Sequence, residues 1–293
     1  MNLAELKVEG RAKINLSLDV LRRREDGYHE VKMIMQQVDL YDEITLKTID
    51  SGIVLDTNCE FIPTDDKNIA YKAAKMIIDK YNIDKGIKIY IDKNIPVGAG
   101  LAGGSTDAAA VLTGLNRLWD LNIPKEELMK MGKEIGADVP FCIMGGAALA
   151  EGIGEKLTPI EGLDSWIILC KPSLSVSTQS VYRNLKVDEI QIHPNTDEIL
   201  SALKENQVRT VASNLCNVLE NVTIEMHPVV KDIKKKMLEY GTLGTLMSGS
   251  GPTVFGIFRD YNKAKSAYDN LKKIYKQVYL IKTYNTREEE YGL

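Results

Sequence analysis

The chain has 293 residues, 44% of them hydrophobic and 27% charged, which is the balance of a globular protein with core enough for one large domain or two ordinary ones. Lys and Arg total 37 against 41 Asp and Glu, for a net charge of −4 and a pI near 5.6, so no basic face advertises bulk nucleic-acid binding. No run of about 18 apolar residues occurs, which excludes a membrane-spanning helix of ordinary composition.

The N-terminal M-N-L-A-E-L-K-V-E-G carries an early Glu5 and no apolar core. It does not read as a signal peptide, and a cytoplasmic location is expected. Cys59, Cys142, Cys170 and Cys216 are scattered, with no C-x-x-C pair. Reduced, mostly buried thiols are expected rather than a disulfide framework or a zinc site.

In chain order, Leu6 to Leu21 alternates, with Ile14, Leu16, Leu18 and Val20 on one face and Lys13, Asn15, Ser17 and Asp19 on the other. This predicts a strand with a polar face. R-R-R-E-D-G-Y-H reads as a turn built on Asp26-Gly27. Separate strands are expected at Val31–Leu40, Asp42–Thr48 and Gly52–Asp56. Asp65 or Asp66 is the candidate N-cap of a helix through Tyr81. Gly86 to Asp92 alternates as a half-exposed strand, and a helix is expected from about Thr106 to Leu118. Pro124 opens a further helix that Gly136 ends. Phe141–Met144 and Ala147–Glu151 read as strands. The polar stretch Glu155 to Asp164 is the candidate domain boundary.

Beyond it come a strand at Trp166–Lys171 and helices near 179–184, 196–204, 212–219 and 229–240. Strands at Leu243–Met247 and Thr253–Phe258, a helix at Asn262–Lys276 and a strand at Val278–Thr283 follow. With the extra helices treated as insertions, the order is β-α-β-β-α-β, that of a ferredoxin-like unit.

Between the Gly86 strand and the Thr106 helix lies P-V-G-A-G-L-A-G-G-S-T-D, residues 96–107. Glycines running into a helix start bring backbone N–H groups and the positive end of the helix dipole to one point, which suits phosphate. Gly98, Gly100 and Gly103 also satisfy G-x-G-x-x-G, with Asp120 twenty residues after Gly100, so a nicotinamide-dependent oxidoreductase competes. Against it, the preceding strand alternates instead of being apolar throughout. Asp120 also lies between two helical runs, with no strand end to present it to a ribose. A P-loop lacks its G-K-[ST].

The 96–107 stretch resembles the phosphate loop of the galacto-, homoserine, mevalonate and phosphomevalonate kinase superfamily. A-K-I-N-L-S-L, D-G-Y-H, G-A-D-V-P and M-S-G-S-G-P-T-V-F are similar to blocks of one branch of it, in the expected order across nearly the whole chain. That branch phosphorylates a cytidine diphosphate-linked methylerythritol on the non-mevalonate route to isoprenoid precursors. Leu101-Ala102-Gly103-Gly104-Ser105 stands where many superfamily members have G-L-G-S-S.

The resemblance implies an α+β, two-domain fold. Residues 1–160 would form an ATP-binding domain like one of a small-ribosomal-subunit protein, and 161–293 a ferredoxin-like substrate-side domain. It implies ATP and Mg²⁺ as cofactors, with metal ligands unassigned, a small-molecule substrate, no nucleic-acid or membrane partner, and a monomer or weak homodimer.

Asp138 becomes the candidate general base, where a turn-forming role is the plainer reading. Lys13 would support it electrostatically, where a solvated strand lysine is the plainer reading. Asn15 shares Lys13's face and is placed to bind substrate hydroxyls. Tyr28, His29 and Tyr182 are implied around the cytosine, with Thr178, Gly249 and Ser250 also at the substrate. Pro96, Gly98, Gly100, Leu101, Ala102, Gly103, Gly104, Ser105 and Thr106 are implied at the ATP phosphates. Ser105 and Thr106 are also candidate helix caps, Asp107 a helix-dipole partner in preference to a nearby polar support, and Asn68 the start of a helix bordering the nucleotide. A kinase for a smaller alcohol and a non-catalytic nucleic-acid module remain alternatives; a small alcohol has no base for Tyr28, His29 and Tyr182 to hold. His193 and His227 read as structural or surface residues.

Overall fold

A computed structural model describes residues 4–285. Two compact units divide the chain. The first holds the described residues up to Ala12, Leu40–Val97 and Ala102–Gly145; the second holds Lys13–Asp39, Gly98–Leu101 and the described residues from Gly146 onward. Strands β1 (Glu5–Arg23) and β2 (His29–Ile49) contribute to both. Both units are therefore discontinuous in sequence, unlike the contiguous 1–160 and 161–293 division.

The first unit adds β3 (Ile53–Thr57), α1 (Ile69–Tyr81), β4 (Gly86–Asp92), α2 (Gly103–Leu118), α3 (Lys125–Ile135) and α4 (Val139–Met144). β4 pairs antiparallel with β2, from Glu43 opposite Asp92 to Ile49 opposite Gly86, and parallel with β3. Ile87, Ile89 and Ile91 are fully buried with Ile44 and Leu46, while Lys88 and Tyr90 face out. Each such side chain contributes about 1.5–3 kcal/mol on burial. At Gly114 of α2 a Cβ would lie 2.4 Å from Leu46 Cδ1; the missing side chain lets the helix settle against the sheet.

The second unit adds β5 (Ala147–Gly152), antiparallel to the first part of β2, and β6 (Lys156–Pro159), paired with β5. Then come β7 (Trp166–Lys171), α5 (Thr178–Asn184), α6 (Thr196–Lys204), α7 (Val208–Ser213), β8 (Cys216–Asn217) and α8 (Glu220–Met226). α9 (Val229–Glu239), β9 (Gly244–Met247), β10 (Val254–Phe258), α10 (Tyr261–Lys272) and β11 (Gln277–Lys282) complete it. β11, β7, β10 and β9 form, in that order, a four-stranded sheet with every neighbour antiparallel. The β-α-β-β-α-β reading holds, with the segment from α5 to α8 as the insertion.

Several local expectations change. Val31–Leu40 and Asp42–Thr48 are one strand, because Tyr41 does not break the pairing of β2. Phe141–Met144 is helical, not extended. A short run buried on nearly every side has no periodicity to reveal its type, and Pro140 in its first turn favours the helix. The helix expected over 212–219 is replaced by the end of α7 and by β8. There Ser17 and Leu18 of β1 pair in parallel with Cys216 and Asn217, and this sheet pairing overrides the helical pattern. The polar stretch 155–164 contains β6. α1 is capped by Asn68, not Asp65 or Asp66: its Oδ1 accepts from Ala70 N at 2.9 Å. In the dinucleotide alternative β4 would be the first strand of a sheet parallel on both sides; here it is parallel to β3 but antiparallel to β2, and Asp120 sits at positive φ just after α2. All four cysteines are free thiols, with Cys142 and Cys170 buried as expected; burial pushes the Cys170 thiol up to about 12. Among the described residues, no helix is long and apolar enough to cross a membrane.

Candidate active site

The 96–107 loop takes its shape from residues at positive φ: Gly98 at 60°, Gly100 at 74° and Ala102 at 58°. A left-handed residue turns the chain sharply, and only glycine adopts it freely. Ala102 is the exception, and it is the N-cap of α2, making no side-chain cap bond. The first N–H groups of a helix have no intrahelical acceptor. Here they belong to Gly103, Gly104 and Ser105, with no side-chain cap over them and Gly104 exposed. An uncapped helix start behind a glycine turn fits an anion such as a nucleotide's phosphate chain.

Helix α2 thus begins three residues before the expected Thr106, and neither Ser105 nor Thr106 caps it. Thr106 is buried, its hydroxyl donating to Arg11 O at 2.7 Å and its N–H to Ala102 O at 2.9 Å. Both donors are committed inside the protein. Asp107 is not a helix-dipole partner. It lies buried beyond the first turn and is bonded to Lys93.

In the second unit, β1 delivers Lys13 and Asn15. Lys13 is only 4% exposed, which removes the solvated-lysine reading. Its N–H donates to Leu101 O at 3.2 Å, and its ammonium donates to Asn15 Oδ1 at 2.8 Å. The whole polar face of β1, Lys13, Asn15, Ser17 and Asp19, is buried. Buried polar groups need partners, and these have them: Ser17 Oγ accepts from Ile34 N, and Asp19 Oδ1 accepts from Val20 N and lies 2.8 Å from His193 Nδ1. His193 keeps its structural reading.

The S-G-S-G-P turn between β9 and β10 reaches the same loop. Ser248 Oγ donates to Gly100 O at 2.9 Å. A Cβ on Gly249 would stand 3.1 Å from Gly100 O and 3.6 Å from Asn15 Oδ1. The Ser250 and Thr178 hydroxyls are 2.8 Å apart. The second unit therefore gathers Lys13, Asn15, Gly98 to Leu101, Thr178, Gly249 and Ser250. It also holds the aromatic group: the His29 and Tyr182 rings are 5.1 Å apart and tilted by 35°, while Tyr28 is 60% exposed. Burial, with Arg23 adding, lowers the His29 imidazole below its ordinary range. The ring is accordingly neutral near pH 7, with one nitrogen donor and one acceptor.

In the first unit, Ser105 Oγ would lie 3.9 Å from a Cβ on Gly136. Asp138 follows two residues later, half-buried at the start of α4, and makes no side-chain cap to it. Lys125 Nζ donates to Met144 O at 3.0 Å, at the negative end of the same helix. Asn68 uses its amide on the cap of α1 and on Pro63 O at 2.7 Å. Next to it, Ile69 is 3.5 Å from where a Gly104 Cβ would stand. Among the described residues, no group of three or more His, Cys, Asp or Glu is arranged to hold a metal ion.

The model for the GHMP kinases N terminal domain matches residues 68–146, and that for the GHMP kinases C terminal domain matches residues 191–277. Over 288 residues the chain is 57% identical to the 4-diphosphocytidyl-2-C-methyl-D-erythritol kinase of Alkaliphilus metalliredigens (strain QYMF), covering 98% of this chain and 99% of the relative. It is 58% identical over 286 residues to the kinase of the same name from Alkaliphilus oremlandii (strain OhILAs), covering 97% and 98%. This chain belongs to the 4-diphosphocytidyl-2-C-methyl-D-erythritol kinase family. A crystal structure of 4-(cytidine 5'-diphospho)-2C-methyl-D-erythritol kinase superposes with a TM-score of 0.83 at 31% identity, over 96% of this chain and all of the other. The protein is an ATP-dependent kinase of GHMP-kinase fold, and neither the oxidoreductase nor the nucleic-acid module stands.

Sequence reading missed the residues that hold this kinase's loops. Asn217 is buried on β8. It donates to Met247 O and Gly249 O, both at 2.8 Å, and accepts from Leu219 N at 3.0 Å. Thr223 Oγ1 donates to Ser250 O. Lys171, buried, donates to Leu174 O at 2.8 Å. It thereby shapes the segment in which Ser175 lies 3.0 Å from a would-be Cβ on Gly98. None of these residues stands in a block whose pattern announces a role. Asn217→Ala leaves two buried carbonyls without donors, so a loss of about 2–4 kcal/mol is expected. Urea denaturation checks it, with Asn217→Asp, which keeps the acceptor for Leu219 N but sets an oxygen against both carbonyls, expected to lose at least as much.

Proposed function

We propose that this kinase transfers the γ-phosphoryl group of ATP to the 2-hydroxyl of 4-diphosphocytidyl-2-C-methyl-D-erythritol. The observation that carries the reading is the buried Lys13, held by Asn15 through its ammonium and bonded to phosphate-loop Leu101 through its backbone. A buried ammonium beside a phosphate loop is a preset positive charge for a transferring phosphoryl group. In the proposed reaction Asp138 accepts the hydroxyl proton as the new O–P bond forms and ADP departs with the electrons of the broken P–O bond. Asn15 orients the methylerythritol hydroxyls, and Thr178, Gly249 and Ser250 hold the same end of the substrate. Tyr28, His29 and Tyr182 take the cytosine, the aromatic faces by stacking and the neutral His29 by reading the base edge.

On the nucleotide side, Gly98 to Ser105 cradle the phosphates through backbone N–H groups, with Pro96 leading into the loop, and Asn68 borders the nucleotide at the start of α1. Mg²⁺, which binds through phosphates with few protein ligands, would enter with ATP and neutralise phosphate charge. Ser105 is the loop hydroxyl left to support it. By role, residues 1–160 serve ATP and catalysis and also bring Asn15, Tyr28 and His29 to the substrate, and 161–293 supply the rest of the substrate side, in a cytoplasmic monomer or weak homodimer.

Incubating the chain with ATP, Mg²⁺ and the cytidine substrate tests the reading by phosphorus NMR. A new phosphomonoester signal together with ADP is expected. Transfer to a small alcohol, with none to the cytidine compound, would establish the second reading, which the exposed Tyr28 and the His29–Tyr182 pair disfavour.

A further inference from the structure

Beneath the phosphate loop lies a cluster that the proposed chemistry does not use. Asp42 of β2, Lys93 after β4 and Asp107 of α2 all have buried side chains. Lys93 donates to Asp42 Oδ2 and, at 2.8 Å, to Asp107 Oδ2. The other Asp42 oxygen accepts two backbone N–H groups, from Asn94 at 2.6 Å and Ile95 at 2.8 Å. A Cβ on Gly103, the first residue of α2, would lie 3.3 Å from Lys93 Nζ and 3.1 Å from Ile95 Cγ2. Residues 93–95 lead into the loop, and residues 103–107 lead out of it. One carboxylate on a central strand thus grips the first of these segments directly and the second through a lysine.

We infer that Asp42, Lys93 and Asp107 are positioning residues that fix both ends of the phosphate loop, so that ATP meets a cradle already formed before it binds. The inference rests on the ATP reading of the loop. A flexible glycine-rich loop would have to be ordered by the nucleotide at the expense of affinity; anchoring both ends to a buried strand removes that cost in advance. The cluster's charge agrees. Burial holds the Asp107 carboxyl well above the usual carboxylate range, against the pull of Lys93 and with the charge of Asp42 adding. Burial also opposes the Lys93 ammonium, but the two carboxylates outweigh it and its pKa is raised. Asp107 Oδ1 has no hydrogen-bond partner, as a carboxyl held for its link to Lys93 allows.

The first test uses the unaltered full chain without nucleotide. The Asn94 and Ile95 amides are expected to exchange with solvent at least about 100-fold more slowly than free amides, with little change when a non-hydrolysable ATP analogue is added. Fast exchange that slows only with the analogue would overturn the inference. The second test is kinetic. Asp42→Asn puts an amide N–H against the Lys93 ammonium. It is expected to raise KM for ATP about tenfold or more while KM for the cytidine substrate stays within about twofold. Asp107→Leu is expected to act similarly, and Asp107→Asn, which keeps a neutral acceptor for Lys93, to restore most of the loss. A folded Asp42→Asn variant with unchanged ATP affinity would also overturn the inference; should that variant not fold, the exchange result on the unaltered chain decides. Failure of the unaltered chain to bind ATP would instead remove the ATP reading, and the exchange result would still report whether the clamp exists.

Discussion

Asp138→Asn is expected to fold normally and to lose nearly all turnover, with kcat down about 10²–10⁴-fold. The substitution is nearly isosteric at a half-buried position, and the side chain makes no cap to α4. The lost attraction between a carboxylate and the helix N-terminus contributes about 0.3–1 kcal/mol to the folding penalty. The catalytic penalty is larger because an amide cannot accept the hydroxyl proton as the O–P bond forms. ATP binding is expected within about threefold of the unaltered chain, since the phosphates are assigned to the glycine loop rather than to Asp138. Single-turnover kinetics with circular dichroism separates the two effects. A cooperative melt together with turnover within a few-fold of the unaltered chain would remove Asp138 from the base role.

Gly100→Ala is expected to damage both the fold and ATP use. At φ 74° an L side chain carries a penalty of about 1–2 kcal/mol. Its Cβ would also stand 2.2 Å from Ser248 O and 3.0 Å from Gly251 N. Those obstacles are backbone atoms, and Ser248 Oγ is itself bonded to Gly100 O, so no side-chain rotation relieves the clash. Either the loop or the S-G-S-G-P turn must move, and both are assigned to the site. A combined loss of about 2–4 kcal/mol in stability is expected, with kcat/KM for ATP lowered about 100-fold. Gly241 is the control. It has φ 86° but open space around its missing Cβ, so Gly241→Ala should show only the backbone penalty and normal ATP kinetics. Equal effects at the two positions would mean that the contact with the turn is unimportant.

The ferredoxin-like order and a glycine stretch opening onto a helix start were legible in the residues, while roles for Lys13, Asn15 and Asp138 were suggested by short blocks that resemble a kinase family. Each rests on something local: alternation along a strand, glycine spacing before a helix, or a short block with a recognisable neighbourhood. Where local signals failed, the chain met a partner distant in sequence. Two-residue β8 is extended because it pairs with β1 about 200 residues earlier. Phe141–Met144 is helical because it is buried on nearly all sides, where periodicity carries no information.

Lys13 shows the division most plainly. Its place on the polar face of β1 follows from the period of a strand, and the A-K-I-N block suggested a task. Only the fold covers that face, turning a lysine that alternation would leave in solvent into a buried ammonium bonded to Asn15. The phosphate loop divides in the same way. Its glycines suggested a phosphate cradle because positive φ and an open helix start are local properties of the chain. Its anchors were not. Asp42, Lys93, Asn217 and Ser248 grip loops through contacts spanning about 14 to 150 residues. A single Asp, Lys, Asn or Ser in an unremarkable stretch acquires such a partner only when the tertiary structure buries it and leaves it to find one.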